Sequence, residues 1–199
     1  NQFQETGVIV WALSNTRSGK STIFGGLSNQ SDLSASLPPL FPELSEAWIS
    51  VTNVITLGDG SRILNSTPCG ETGVYCLAQD GYNITAGSVR FPTAPLNGSY
   101  YTTMNGTSMA TPQVSGAVAL LWEAFPDNSP EVITNRLLLT ADNSWFDSNV
   151  CLEDSDSSGG FSSGDSFTAS CGGTTGTLTY YGITHDYSSL YGHGTPDIY

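Results

Sequence analysis

Apolar residues of the chain cluster into a few continuous runs separated by long polar stretches. The run GVIVWAL, residues 7–13, is rich in β-branched side chains and predicts a strand buried on both faces, as in a parallel sheet. A second run predicts a strand from Trp48 to Ile55, after a proline-rich turn in the stretch LPPLFPEL. Residues 58–80 are predicted to form loops.

The next segment combines a turn signal with a long apolar stretch. Residues 88–104 are predicted to form a β-hairpin, because Asn97-Gly98 is a strong type I′ turn signal. The clearest helix follows, from about Thr107 to Phe125, and its composition predicts a central helix buried on nearly all sides. Pro112 is expected in its first turn, where a missing N–H costs nothing.

A second helix is predicted to run to about Ala141. Ser129 fits the N-cap, Pro130 the first helical position, and Glu131 complements the helix dipole. Residues 142–182 are poor in apolar side chains and predict an irregular surface excursion. The whole pattern, residues 1–199, predicts one α/β domain with a parallel sheet flanked by helices.

Composition narrows the class of protein. The formal net charge is −13 and only five residues are Lys or Arg, which argues against a nucleic-acid partner. No apolar run is long enough to span a membrane.

Cysteine spacing points to an oxidising compartment. The four cysteines form two local pairs: Cys69 with Cys76, and Cys151 with Cys171. Neither pair has the spacing of a zinc site, and His185 and His193 lie beyond both. Two disulfides are expected, with four unpaired buried thiols as the alternative.

The segment Asn105 to Pro112 carries the candidate chemistry. Gly106 would let a substrate backbone approach closely. Ser108 opens a helix, so it lies among free N–H donors and at the positive end of the dipole. An oxyanion formed at this serine would be stabilised by its backbone N–H. A plain serine N-cap is the alternative, and for Gly-Thr-Ser alone it would be the preferred interpretation.

The segment GTSMATP followed by QVSGAVALL closely resembles the nucleophile motif of the subtilisin-like serine peptidases. GVIVWALSN resembles the central strand of that family, which ends in the asparagine of the oxyanion hole. The stretches LPPLFPELSEAWISVTNV and TPCGETGVYCLAQDGYNI are similar to those of autotransporter-type bacterial subtilases, including the Cys pair. YGHGTPDIY resembles the closing segment.

The resemblance implies a subtilisin-like fold and a serine endopeptidase that works through an acyl-enzyme. Ser108 matches the nucleophile and Asn15 the side-chain oxyanion donor. The resemblance implies chemistry that needs no cofactor and substrates that are proteins or peptides. Together with the cysteine pairs, it implies a secreted or cell-surface location. Ser14 departs from the family, which usually has Gly before the Asn.

The family's Asp and His motifs precede the oxyanion strand, and nothing before residue 7 could hold them. The chain is therefore expected to be the C-terminal half of the domain, inactive without its upstream half. His185 and His193 follow the nucleophile, in reverse of the subtilisin order, and His193 is expected to pack in the closing segment. A catalytically inactive peptide-binding or surface module with this fold is the alternative.

A second candidate site lies between the last two cysteines. Asp154, Asp156, Ser158 and Asp165, with Gly159, match the oxygen positions of a twelve-residue calcium loop. Aspartate replaces the usual glutamate at the last position, and no amphipathic helices flank the loop. The site would hold a structural calcium ion. A solvated acidic loop is the alternative, and the sequence favours it.

Overall fold

The computed structural model describes residues 5–15, 35, 37–87, 101–146, 151–153, 166–168 and 175–198, with backbone alone for 151–153 and 166–168. The strands are β1 (Ile9–Ala12), β2 (Trp48–Thr56), β3 (Arg62–Leu64), β4 (Cys76–Asp80), β5 (Ile84–Gly87), β6 (Tyr101–Met104), β7 (Cys151–Glu153), β8 (Ser166–Thr168), β9 (Thr175–Tyr180) and β10 (Ile183–Ser188). The α-helices are α1 (Leu37–Leu40), α2 (Thr107–Ala124) and α3 (Pro130–Leu139), and 3-10 helices span Pro42–Ala47 and Gly70–Tyr75.

The strand β2 organises the central sheet. One of its edges pairs in parallel with β1, Ile9 opposite Trp48, and further along with β3 in the antiparallel direction. Its other edge pairs in parallel with β4, Ser50 opposite Cys76. Because β1, β2 and β4 run parallel, their carboxyl ends meet at one edge of the sheet, where α/β folds place their sites.

The main core lies between this sheet and the helices α2 and α3. Side chains alternate along β2, so Ile49 and Val51 are fully buried on the same face. They share one cluster with the buried residues of the neighbouring strand and of both helices: Leu77, Ala110, Val114, Ala117, Val118, Ile133, Leu137, Leu138 and Ala141. A separate cluster joins Val54 and Ala78 to Trp145, Leu190 and Tyr191.

Several sequence predictions are confirmed. The strand predicted from Trp48 to Ile55 is β2, and all but its last residue are buried. The helix predicted to begin at Thr107 is α2. The second predicted helix is α3, whose N-cap Ser129 accepts a hydrogen bond from the backbone N–H of Val132 at 3.3 Å. Its C-terminal residue is Leu139.

The predictions of burial for β1 and α2 are wrong. Trp11 is 41% exposed, and within the described residues β1 pairs with β2 alone. The helix α2 buries one face only, since Leu120 on the other side is 55% exposed. Pro112 lies beyond the first turn of α2, so its missing N–H leaves the Ser108 carbonyl without its intrahelical donor.

Other differences concern segments predicted to be irregular. Residues 58–80 contain β3, the 3-10 helix Gly70–Tyr75 and the sheet strand β4. The stretch LPPLFPEL forms α1 and the start of the 3-10 helix Pro42–Ala47 instead of a turn. The range 142–182 contains β7, β8 and the strand β9, which pairs with β10.

Of the hairpin predicted over residues 88–104, the described part is β6, which pairs in the antiparallel direction with β5, a strand before the predicted range, with Ile84 opposite Met104. Its turn residues Asn97 and Gly98 lie outside the described residues. A disulfide joins Cys69 and Cys76, whereas Cys171 lies outside the described part, so the pairing of Cys151 with Cys171 stays a prediction. No helix in the described part of the chain is long and apolar enough to cross a bilayer.

Candidate active site

The candidate site forms where the segment after β1 meets the first turn of α2. Gly106 is the N-cap residue of α2 and has a φ of 136° and a ψ of 172°. Residues with a side chain rarely adopt this φ. A Cβ atom at this position would also lie 2.7 Å from the Asn15 side-chain oxygen. Glycine is therefore needed here both for the backbone conformation and for the close approach of Asn15.

Asn15 is bound directly to the beginning of α2. Its Oδ1 accepts a hydrogen bond from the backbone N–H of Thr107 at 2.9 Å and lies 3.1 Å from the Thr107 hydroxyl oxygen. The first turn of a helix leaves its N–H groups without partners, and Asn15 caps one of them. Because Thr107 directly precedes Ser108, this contact brings the Asn15 amide beside the candidate nucleophile.

The Thr107 side chain also reaches the strand segment before Asn15. Its hydroxyl donates to the Leu13 carbonyl at 2.6 Å, and Thr107 is 1% exposed. Leu13 is held in turn by its N–H, which donates to the Val51 carbonyl at 3.0 Å. The helix start is therefore fixed to the carboxyl end of β1, and through Leu13 to β2, by a buried threonine that the sequence patterns do not single out.

Ser108 is exposed at this helix terminus. Neither its hydroxyl nor its backbone N–H has a hydrogen-bond partner within the described residues. The Asn15 amide nitrogen has no partner there either. A backbone N–H, a side-chain amide nitrogen and the positive end of an 18-residue helix are thus all without a partner, within the described residues, where Asn15 meets the start of α2. This arrangement could stabilise an anionic oxygen formed at Ser108.

A second set of contacts supports the helix start from the end of β4. The Gly106 N–H donates to the Gly81 carbonyl at 2.9 Å, and the Gly81 N–H donates to Asn53 Oδ1 at 2.7 Å. A Cβ atom at Gly81 would collide with the Gly106 carbonyl oxygen and with Asn53. Asn53 is fully buried on β2, so this support connects the sheet interior to the residues before Ser108.

Gln113 connects the next turn of α2 to the same strand end. Its Nε2 donates to the Asp80 carbonyl at 2.7 Å and to the Met109 carbonyl at 2.9 Å. Its Oε1 accepts from Gln79 Nε2 at 2.8 Å. Asp80 itself accepts hydrogen bonds from the N–H groups of Thr56 and Tyr82. These contacts explain how β4 and α2 keep a fixed relative position beside the candidate nucleophile.

The two histidines of the chain do not approach Ser108. His193 is fully buried and its ring contacts His185, while the outer ring nitrogens of the pair bind the carbonyls of Val74 and Ala141. The expectation that His193 packs in the closing segment is confirmed. Neither ring is a candidate base for this serine.

The predicted calcium ligands Asp154, Asp156, Ser158 and Asp165 lie outside the described residues. Among the residues that the structure does describe, no group of three His, Cys, Asp or Glu side chains could hold a metal ion.

Comparison with known proteins identifies relatives. A family model described as the Subtilase family matches residues 1–183. An extracellular serine protease of Serratia marcescens is 32% identical over 145 residues, which is 63% of this chain and 14% of that protein. Subtilisin DY of Bacillus licheniformis is 47% identical over 53 residues, or 27% of this chain and 19% of that protein. The chain thus spans less than a fifth of each of these two relatives.

Solved structures are similar at lower identity. The serine protease of Aeromonas sobria has a TM-score of 0.49 and 23% identity, over 86% of this chain and 30% of that one. Fervidolysin from Fervidobacterium pennivorans has a TM-score of 0.47 and 23% identity, over 68% of this chain and 19% of that one.

Proposed function

The chain belongs to the subtilase family, and on that basis we propose that it carries the nucleophile and the oxyanion hole of a secreted or cell-surface serine endopeptidase. Ser108 attacks the carbonyl carbon of a peptide bond, and the acyl-enzyme formed on its hydroxyl is then hydrolysed. The Asn15 amide and the Ser108 backbone N–H donate to the oxygen that becomes negative.

The observation that carries the proposal is the contact between Asn15 and the residue before Ser108. Asn15 Oδ1 lies 2.9 Å from the Thr107 nitrogen. This bond uses the oxygen of the amide and leaves its NH₂ group as a donor. An oxyanion hole needs donors in fixed positions, because donors that must first reorient stabilise the transition state less.

The general base and the carboxylate that orients it come from a part of the protein outside residues 1–199, the upstream half of the domain. Both histidines of this chain have ring partners elsewhere. A serine without a base is a weak nucleophile, so residues 1–199 alone are expected to be inactive. The disulfide between Cys69 and Cys76 supports an extracytoplasmic location, where such bonds persist.

The kinetic test uses a form of the protein that includes the upstream part and a fluorogenic peptide substrate. Asn15→Asp keeps the oxygen that binds Thr107 but removes the amide donor, so kcat should fall by about 10²–10³ or more with little change in KM. Ser108→Ala should abolish turnover. Ser115→Ala is the control, since Ser115 is an exposed serine of the same helix whose hydroxyl, within the described residues, bonds the Thr111 carbonyl alone.

Full activity of Ser108→Ala would overturn the proposal. Absence of turnover in the unmodified protein, combined with peptide binding, would favour the alternative of an inactive peptide-binding module.

A further inference from the structure

His185 on β10 and His193 in the closing segment form a close pair. Their Nδ1 atoms are 3.0 Å apart, and the ring centroids are 5.2 Å apart with a tilt of 31°. His193 is 0% exposed, and His185 is half-buried. These are the two histidines of the chain, and the proposed function uses neither.

The outer ring nitrogens fix the positions of two protons. His185 Nε2 donates to the Ala141 carbonyl at 2.9 Å, and His193 Nε2 donates to the Val74 carbonyl at 3.0 Å. A carbonyl oxygen only accepts hydrogen bonds, so both Nε2 atoms carry a proton. A neutral imidazole has only one N–H. If both rings were neutral, two lone pairs would face each other at the Nδ1 contact.

We propose that the His185–His193 pair is a proton-binding device. One proton is shared between the two Nδ1 atoms, which gives the pair three N–H bonds and one positive charge. In this state all three hydrogen bonds of the pair are made at once. The pair then connects β10, through His185, to the segment after α3, and the closing segment, through His193, to the 3-10 helix Gly70–Tyr75.

The surroundings of the His185–His193 pair favour one positive charge on the two rings and oppose a second. Ala141 follows the last turn of α3, where the negative end of the helix dipole attracts a cation. Burial lowers the pKa of His193 to about 4, the hydrogen bond to the Val74 carbonyl acts in the opposite direction, and charge on His185 lowers it further. A second proton therefore enters only in acidic solution.

No carboxylate bonds to either ring within the described residues. Tyr187 lies on the same face of β10, with its ring 5.3 Å from that of His193, whereas Asp186 lies on the opposite face and is exposed. The other ionisable groups on the elements around the pair are Glu71 and Tyr75 in the 3-10 helix, Glu131 and Arg136 in α3, Asp142 after it, Arg62 in β3, Tyr180 in β9, and Tyr191 and Asp197 in the closing segment.

Four of these groups, Asp142, Arg62, Glu131 and Tyr180, have partners of their own. Asp142 binds Ser144, which holds the pKa of its carboxyl below the usual range, and Arg62 lies 3.4 Å from the same carboxylate. Glu131 accepts from the Tyr180 hydroxyl at 3.3 Å. The hydrogen bonds of the two rings are therefore made to each other and to the two carbonyls.

The shared proton makes the free energy of unfolding depend on pH on both sides of the histidine pKa. Histidines of the unfolded chain lose their protons near pH 6.5. Relative to two neutral rings, the unfolded state below that pH binds two additional protons and the folded pair binds one, so the free energy of unfolding rises with pH. Above that pH the unfolded state binds no additional proton while the folded pair keeps one, so the free energy of unfolding falls as pH rises. On either side of pH 6.5 the equilibrium constant for unfolding changes by up to about tenfold per pH unit.

Nitrogen-15 spectroscopy of the histidine rings tests the proposal directly. The protein without a histidine tag is labelled at histidine nitrogens, and His185→Gln assigns the signals. Between pH 5 and 7 we expect both Nε2 nitrogens to be protonated and one proton to be shared by the two Nδ1 nitrogens. Two unprotonated Nδ1 nitrogens at pH 6, or an unprotonated Nε2 on either ring, would overturn it.

Denaturant unfolding across the pH range provides the second measurement. The unmodified protein should be most stable near pH 6.5 and lose stability on the alkaline side. His185→Gln leaves a buried His193 that is neutral when folded, so the stability of this variant should reach a plateau above pH 6.5. Equal alkaline slopes for the two proteins would contradict the shared proton.

Discussion

Asn15 Oδ1 accepts a hydrogen bond from the N–H of Thr107 at 2.9 Å and lies 3.1 Å from the Thr107 hydroxyl oxygen, whose proton is directed to the Leu13 carbonyl. Because a backbone N–H can only donate, turning the Asn15 amide round would lose this bond and place two donors together. The NH₂ group of the amide is therefore held on the side away from Thr107. The residue before Ser108 thus sets the direction of the proposed oxyanion donor.

The first prediction concerns the Thr107 hydroxyl. Thr107→Val removes that hydroxyl while keeping the shape of the side chain, so the hydrogen bond to the Leu13 carbonyl and the contact with Asn15 Oδ1 are both lost. Loss of this bond, which leaves the Leu13 carbonyl without its partner, is expected to lower stability by about 1–3 kcal/mol, and kcat in an active form by about tenfold. Thr107→Ser keeps the hydroxyl and should retain most of the activity. Equal kcat values for the two variants would show that the hydroxyl does not position Asn15.

The second prediction compares two glycines at α2. Gly106→Ala introduces a Cβ at a φ of 136° and 2.7 Å from Asn15 Oδ1, so the free energy of unfolding should fall by roughly 1–3 kcal/mol. Gly116 is the matched control, because a Cβ there meets nothing within 4 Å. Gly116→Ala should raise the helix stability by about 0.5–1 kcal/mol. Thermal or denaturant unfolding measures both variants, and similar effects would contradict the constraint at Gly106.

The parts of the fold that the sequence predicted well have strong local signals. The cap Ser129-Pro130 predicts α3 because those residues satisfy the helix start by themselves. The strand β4 was missed because it lies between a disulfide and a loop and has polar residues at its end. Its place in the sheet depends on pairing with β2, which no local pattern contains. The exposure of Trp11 also depends on what lies beside β1, and local hydrophobicity cannot predict it.

The candidate site was predicted from motif order, and its supporting residues were not. Ser108 and Asn15 were identified through the family resemblance, because neither residue is distinctive alone. Thr107, Gly81 and Asn53 act through contacts between distant parts of the chain. The sequence does not show why position 81 needs glycine, because the Gly106 carbonyl that a Cβ there would meet is distant in sequence. The particular similarity to autotransporter-type subtilases stays a prediction.

The disulfides give a third prediction. Replacing Cys69 and Cys76 together by alanine should destabilise the protein by roughly 2–3 kcal/mol, through the greater freedom of the unfolded loop. Denaturant unfolding measures this loss. Peptide mapping under non-reducing conditions should also find Cys151 joined to Cys171. A free thiol at either position, or a crossed pairing, would contradict the second disulfide.

A fourth prediction concerns calcium. If Asp154, Asp156, Ser158 and Asp165 bind one ion, millimolar calcium should raise the melting temperature, because the ion binds the folded state. Asp154→Ala should remove this gain, whereas Asp59→Ala, which alters an exposed acidic turn elsewhere, should retain it. An unchanged melting temperature in the unmodified protein would favour the solvated acidic loop.

The central claim is that Ser108 is the nucleophile, and covalent labelling measures this most directly. A fluorophosphonate probe, which reacts with activated serines, is added to a form of the protein that hydrolyses peptides, and the modified residue is identified by peptide mapping. The account predicts a single adduct on Ser108, absent from residues 1–199 alone and from Ser108→Ala. An adduct on another residue, with hydrolysis persisting in Ser108→Ala, would contradict it.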